Sequence, residues 1–264
     1  MKRSSLLLFA VLASAFASAE VTSSNTLCWI TVNSPYTNTI VSTALVDVGL
    51  PATNSIDVSN FILTNNLHVG DSLVKKVLSG TKWTWQGWAI NEAGSWEAVT
   101  VTEGDHLFAA ASDNALALAN AFVLHRSRPA ESNPIYISGQ VESSASRTQT
   151  ASQQVTFMAN AGLTDIYINN IPWTTLPSNG DKLQLINENL TGGVVDYTWR
   201  SSKSGWCTNR IDTVTEDGIT YKVTTAVKIE DNTVVLPVGQ GFMFTRKSTE
   251  TEAPSVTWSI TGAL

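Results

Sequence analysis

The chain has 264 residues; 43% are hydrophobic but only 14% are charged, with 9 Trp, 16 Gly, 8 Pro and 2 Cys. Globular proteins average about 25% charged residues, so Ser, Thr, Asn and Gln must build this surface, while the apolar fraction is too high for a disordered chain. A net charge of −6, from 22 acidic and 16 basic side chains, leaves no electrostatic footprint for nucleic acid or an anionic membrane surface.

The N-terminus reads Met1-Lys2-Arg3-Ser4-Ser5, then runs apolar from Leu6 to Phe16 and reaches Ala17-Ser18-Ala19 before Glu20. A basic start, an apolar stretch and a small-x-small end predict a secretory signal peptide over residues 1–19. The run is shorter than the about 20 residues of a membrane-spanning helix. No later segment is long and apolar enough to span, so no transmembrane segment is expected after the signal peptide is removed. The expected destination is extracellular, the outer surface or the periplasm. Losing Lys2 and Arg3 takes the net charge from −6 to −8. In an oxidising compartment the two cysteines read as a disulfide, Cys28–Cys207, each beside a Trp. That bond would close a loop of about 180 residues and stabilise by ~5 kcal/mol in the chain-entropy view. Two separate buried thiols are the alternative, and neither cysteine has CxxC or metal-ligand spacing.

In chain order, Thr39–Val48 reads as strand and Val58–Leu63 has helical spacing. Trp83–Ile90 and Trp96–Val101 are strand-like, and Asn114–Phe122 again has helical spacing. Glu142 to Gln154, ESSASRTQTASQQ, holds no apolar residue larger than Ala. Such a tract buries too little to offset its ordering entropy and reads as a linker. Ile211–Val214 and Ile219–Ile229 flank Glu216-Asp217-Gly218, a tight-turn signal for a hairpin. Within the second run Tyr221, Val223, Thr225, Val227 and Ile229 alternate with Lys222, Thr224, Ala226, Lys228 and Glu230, placing one face on a core and one in water. Val234–Leu236 and Phe242–Arg246 complete the strand-like runs. Short strands with frequent turns predict an all-β chain of antiparallel sandwich or barrel-like domains.

The two halves resemble each other. Gly70-Asp71-Ser72-Leu73 is answered by Gly180-Asp181-Lys182-Leu183, and Trp83-Thr84-Trp85-Gln86 by Tyr197-Thr198-Trp199-Arg200. Gly87-Trp88 matches Gly205-Trp206, and Ala121–Arg126 matches Gly241–Arg246. Ile137-Ser138-Gly139 matches Ile260-Thr261-Gly262. This order predicts an internal duplication, with β-domains at 21–141 and 155–264 joined by a linker at 142–154.

His68, His106 and His125 lack metal-pair spacing, and no GxSxG elbow or phosphate-cradling loop is present. No catalytic residue, metal site or cofactor is therefore predicted. Asp71 and Asp181 read either as a duplicated calcium or acid site or, the favoured reading, as Asx-turn caps. If both copies keep what the fold needs, Trp85 with Trp199, Trp88 with Trp206 and Phe122 with Phe242 are core. Arg126 and Arg246 are then repeated surface anchors. The Trp residues without a counterpart, Trp29, Trp83, Trp96 and Trp173, are the candidate ligand-binding residues, because indole faces stack on sugar rings.

Leu236-Pro237-Val238-Gly239-Gln240-Gly241-Phe242-Met243-Phe244-Thr245-Arg246, followed by Val256-Thr257-Trp258, resembles the C-terminal part of a group of uncharacterised secreted bacterial proteins. The resemblance spans about thirty residues, implies export and a β fold, and carries no activity. The first copy departs from it, with Ala119 and Ala121 in place of the glycines.

The expected function is an exported, non-enzymatic β-domain protein with a structural, adhesive or assembly role at the cell surface, partnered by copies of itself. A carbohydrate-binding protein that engages extracellular polysaccharide through exposed Trp is the alternative. A glycoside hydrolase, which needs only two facing carboxylates, stands third.

Overall fold

A computed structural model of the chain describes residues 26–32, 38–42, 45–46, 55–61, 67–79, 82–103, 105–117, 121–128, 135–141, 146–186 and 194–259. The expected signal peptide lies outside these residues. The first half contributes β1 (Thr26–Val32), β2 (Asn38–Val41), β3 (Leu45–Val46), β4 (Ser55–Asp57), the one-turn helix α1 (Val58–Phe61), β5 (Ser72–Ser79) and β6 (Lys82–Ile90). It continues with β7 (Trp96–Ala98), β8 (Val101–Glu103), β9 (His106–Ala110), β10 (Ala115–Ala117), β11 (Phe122–His125) and β12 (Ile135–Val141). The second half contributes β13 (Ser146–Thr150), β14 (Val155–Ala159), β15 (Ile166–Tyr167), β16 (Trp173–Thr175), β17 (Lys182–Ile186) and β18 (Val194–Arg200). β19 (Gly205–Glu216), β20 (Ile219–Lys228), β21 (Val235–Leu236), β22 (Gly241–Thr245) and β23 (Ser255–Ser259) follow. The fold is all-β and its sheets are antiparallel, apart from a short parallel contact between β6 and β9.

Strand order repeats between the halves. The small sheet β1-β12-β3 has its counterpart in β13-β23-β16, and the pair β10-β4 in β15-β21. The large sheets begin alike, as β2-β11-β5-β6 and β14-β22-β17-β18, and then diverge into β9-β8 and β19-β20. Each half closes its own two-layer core between the large and small sheets. Val41, Leu73, Trp88, Phe122 and Leu124 meet Ile30, Val32, Ile135 and Ile137 in the first. Leu183, Trp206, Phe242 and Phe244 meet Val256 and Trp258 in the second.

Several expectations change. Within the tract expected as a linker, Ser146–Thr150 form β13, paired with β23 along its length. Its polar residues alternate inward and outward; Arg147 and Gln149 are buried, and Gln149 Oε1 accepts the Ala159 N–H at 3.0 Å. Polar composition hid a strand whose inward face is polar, with Gln149 Oε1 taken up by the backbone of the neighbouring β14. Of Val58–Leu63, the described residues Val58–Phe61 form the single helical turn α1. The described residues of Asn114–Phe122 hold β10 and the first residue of β11 in place of the expected helix. Tertiary pairing of Leu116 with Ile56, both fully buried, overrides the local pattern.

Register corrects the internal alignment. Leu73 stands opposite Trp88, and Leu183 opposite Tyr197. Gly70 N–H donates to Ile90 O at 3.0 Å, and Gly180 N–H to Trp199 O at 2.9 Å. Trp88 therefore occupies the position of Tyr197, and Ile90 that of Trp199. The Trp83–Gln86 match is out by five residues, an odd shift that moves every side chain to the other face.

The Cys28–Cys207 bond is not formed. Cys207 is a buried free thiol, with Sγ 3.8 Å from Gly205 O. Burial pushes its pKa up against the opposing charges of Lys203, Arg200 and Lys228. Cys28, whose side chain lies outside what is described, belongs to β1 in the small sheet of the first half, whereas Cys207 belongs to the large sheet of the second.

Among the described residues, no helix is long and apolar enough to cross a membrane.

Candidate functional site

The halves meet along β2, β14 and β22. Val41 bridges Gln240, and Ser42 N–H donates to Gly239 O at 2.9 Å. Ile40 and Ala121 pack on Ala159, Phe157 and Met243. β22 approaches so closely that a methyl group at Gly241 would meet Ile40 and lie 2.7 Å from Met158 O. Gly239, at φ +74°, leaves equally little room beside Ile30. The glycines of the Leu236–Arg246 motif thus admit the other half, and Ala121 lies in the same seam.

A cleft of about 930 Å³ opens at this seam. Its floor is the face of the first large sheet turned away from the core: Ile40, Val74 and Val123, which pair across β2, β11 and β5. The far end of the sheet folds back over that face. Glu103 on β8 reaches His125 on β11, with Oε1 3.8 Å from Nδ1. Three rings line one wall: Trp85 lies edge-on to Phe108 at 5.7 Å and to Phe157, from the other half, at 5.5 Å between centroids. Met243 and Gln184 complete the second half's contribution.

Polar groups gather around Glu103. His125 Nδ1 is 2.9 Å from Asn38 Oδ1, and Asn38, Asp105 and His106 also line the cleft. The Glu103 side chain is only 13% exposed. Burial raises its pKa above the ordinary carboxyl value, with His125 and His106 pulling the other way. The arrangement offers a desolvated acid beside an aromatic, largely apolar chamber. Among the described residues, no group of three His, Cys, Asp or Glu side chains is placed to hold a metal ion.

The sequence candidates are scattered. Trp29 is 72% exposed on β1. Trp96 and Trp173 pack partly against the first and second cores, each with its indole N–H buried, which leaves little for a sugar to reach. The Trp83 side chain lies outside what is described. Trp88, Trp206, Phe122 and Phe242 are fully buried, as expected of core. Trp85 instead faces the cleft, because it stands three residues from Trp88 on β6 and side chains alternate between the two faces of a strand. Only the excess of Trp signalled it in sequence; Phe108, Phe157 and Glu103 gave no signal at all, since the seam assembles them from both halves.

Asp71 and Asp181 are fold-holding caps, placed alike. Asp71 accepts the His68 N–H at 3.0 Å and the Ser127 N–H at 2.7 Å. Asp181 accepts the Ser178 N–H and the Lys247 N–H, both at 2.8 Å. Arg126 and Arg246 are buried rather than surface anchors. Arg126 Nε lies 3.7 Å from Asp71 Oδ2, while Arg246 donates to Ala151 O at 3.3 Å and Thr251 O at 2.6 Å.

In comparisons with known proteins, no family model, no curated protein and no solved structure matches the chain.

Proposed function

We propose that the chain is an exported, non-enzymatic building block of two duplicated β-domains that assembles with copies of itself through the β19–β20 hairpin. One observation carries this reading. β19 and β20 pair over ten residues, Cys207–Glu216 with Ile219–Lys228, whereas β18 reaches β19 only from Gly205 to Cys207. From Thr208 outward the hairpin has no further partner strand among the described residues. Contrary to the half-buried pattern expected from sequence, β20 is solvent-exposed on both faces for most of its length. Ile211, Ile219, Tyr221, Val223 and Val227 are exposed there.

A lone two-stranded ribbon is marginal in water, and unpaired edges are templates for strand addition. The edges also differ in charge. β19 carries Arg210, Asp212 and Glu216, net −1, and β20 carries Lys222 and Lys228, net +2. Laying β20 of one copy beside β19 of the next brings opposite charges together and leaves both outer edges open. That head-to-tail contact propagates into a filament rather than closing a dimer. The carbohydrate reading has less behind it, because Trp29 is the one fully exposed candidate indole among those described.

The test is size-exclusion chromatography and electron microscopy of the purified mature chain. Multimers or filaments are expected at high concentration, and the double substitution Lys222→Glu and Lys228→Glu should return the chain to monomer. A wild-type chain that stays monomeric at high concentration overturns the proposal.

A further inference from the structure

We propose that the cleft at the seam is a binding site for a small amphiphilic cation: an ammonium group carried on an apolar, ring-bearing body. None of its lining residues belongs to the β19–β20 hairpin, so the proposal stands apart from assembly. The cleft's volume of about 930 Å³ sits near the upper end of the roughly 300–1,000 Å³ range typical of small-molecule sites. Its surfaces divide by chemistry. Trp85, Phe108 and Phe157 offer ring edges and faces, and Ile40, Val74 and Val123 an aliphatic floor. Such a chamber takes a rigid apolar body through area burial and offset or edge-on ring contacts.

Charge selects the head group. The ionisable residues that line the cleft are Glu103, Asp105 and His106, with His125 of β11 beside Glu103 and held in turn by Asn38 of β2. No Lys or Arg is among the lining residues. Lys76, although 5.9 Å from the Trp85 ring centroid, is drawn toward Gln153 across the seam. With two carboxylates and no Lys or Arg along its walls, the polar end is acidic. A carboxylate held in a partly desolvated site attracts a cation more strongly than it would in water. An anion would meet two carboxylates and no Lys or Arg among the lining residues, which disfavours it by the same physics.

The experiment is calorimetric titration of the full mature chain with naphthylmethylammonium, naphthylmethanol and naphthoate near neutral pH. The ammonium probe should bind about tenfold tighter than the alcohol, a difference of about 1.4 kcal/mol, and naphthoate most weakly. Glu103→Gln should remove that preference while leaving the affinity for naphthylmethanol unchanged. Asp105→Asn, at an exposed position, supplies the same reading if the Glu103 variant fails to fold. Ala109→Trp, which fills the cleft from an exposed lining position, should abolish binding of all three probes. Equal affinities for the three probes, no binding of any, or undiminished ammonium binding to Ala109→Trp would each overturn the site.

Discussion

A buried carboxylate without donors would cost several kcal/mol, and Asp71 and Asp181 escape that cost in the same way. Each takes one backbone N–H from three residues upstream and a second from the residue following a buried arginine, so it ties the turn before β5 or β17 to the end of β11 or β22. Asp181→Ala should therefore lower stability by about 3 kcal/mol in denaturant unfolding, since two charge-assisted bonds to a buried carboxylate disappear and two part-buried N–H groups lose their acceptor. A loss below about 0.5 kcal/mol would mean that the clamp is dispensable. Glu103 is strained in the opposite sense, because burial raises its pKa in the folded chain. Below the ordinary carboxyl value the group is neutral in both states and adds nothing. As pH rises the unfolded chain ionises first, so Glu103 erodes stability until the pH passes its raised folded value. Glu103→Gln should flatten the melting temperature across that window and raise it near neutral pH; a parallel pH profile would remove this account.

At the scale of elements, the hairpin and the cleft wall show how far alternation can be trusted. Asp217-Gly218, both at positive φ, closes β19 on β20 with the two-residue turn that suits strand twist, and the sequence signals that turn plainly. The period of two in β20 is equally plain, yet it marks no core face, because the sheet ends there and no second layer covers the ribbon. Lys222 and Lys228 are accordingly solvent-facing. Reversing their charge should dissolve multimers while leaving the melting temperature of the isolated chain within a degree or two, since exposed substitutions act weakly on folding. A large drop in melting temperature would instead place those lysines in the folded body. Trp83-Thr84-Trp85 and Tyr197-Thr198-Trp199 spell alike but lie out of register. The likeness equated Trp85 with Trp199 on the core side, yet Trp85 lies an odd three residues from the buried Trp88 on β6, so alternation turns it into a wall of the cleft.

For the whole molecule the seam is decisive. Ala121, Gly239 and Gly241 keep the backbones of the two halves within contact distance, so a branched side chain at Gly241 has nowhere to go. Gly241→Val should cost about 1–3 kcal/mol by overpacking and split a single unfolding transition into two as the halves lose their coupling; one unshifted transition would mean that the seam carries no energy. The cleft should close or distort in the same variant, because Phe157 and Met243 reach it only through that contact.

The sequence alone determined the all-β class, the hairpin turn, the buried aromatic core of each half and the paired aspartate caps. These are local or periodic features, written in nearest-neighbour sterics and in which residues avoid water. Tertiary structure decided the register of β6 against β5, the strand hidden in the Ser/Gln tract, the free Cys207 thiol and the cleft. Each depends on which distant segment supplies the partner: a hydrogen bond from Ala159 to Gln149, a ring from Phe157 beside Trp85, a histidine from β11 beside Glu103. Composition and spacing carry no distance between residues far apart in the chain, and it is distance that makes these groups a site.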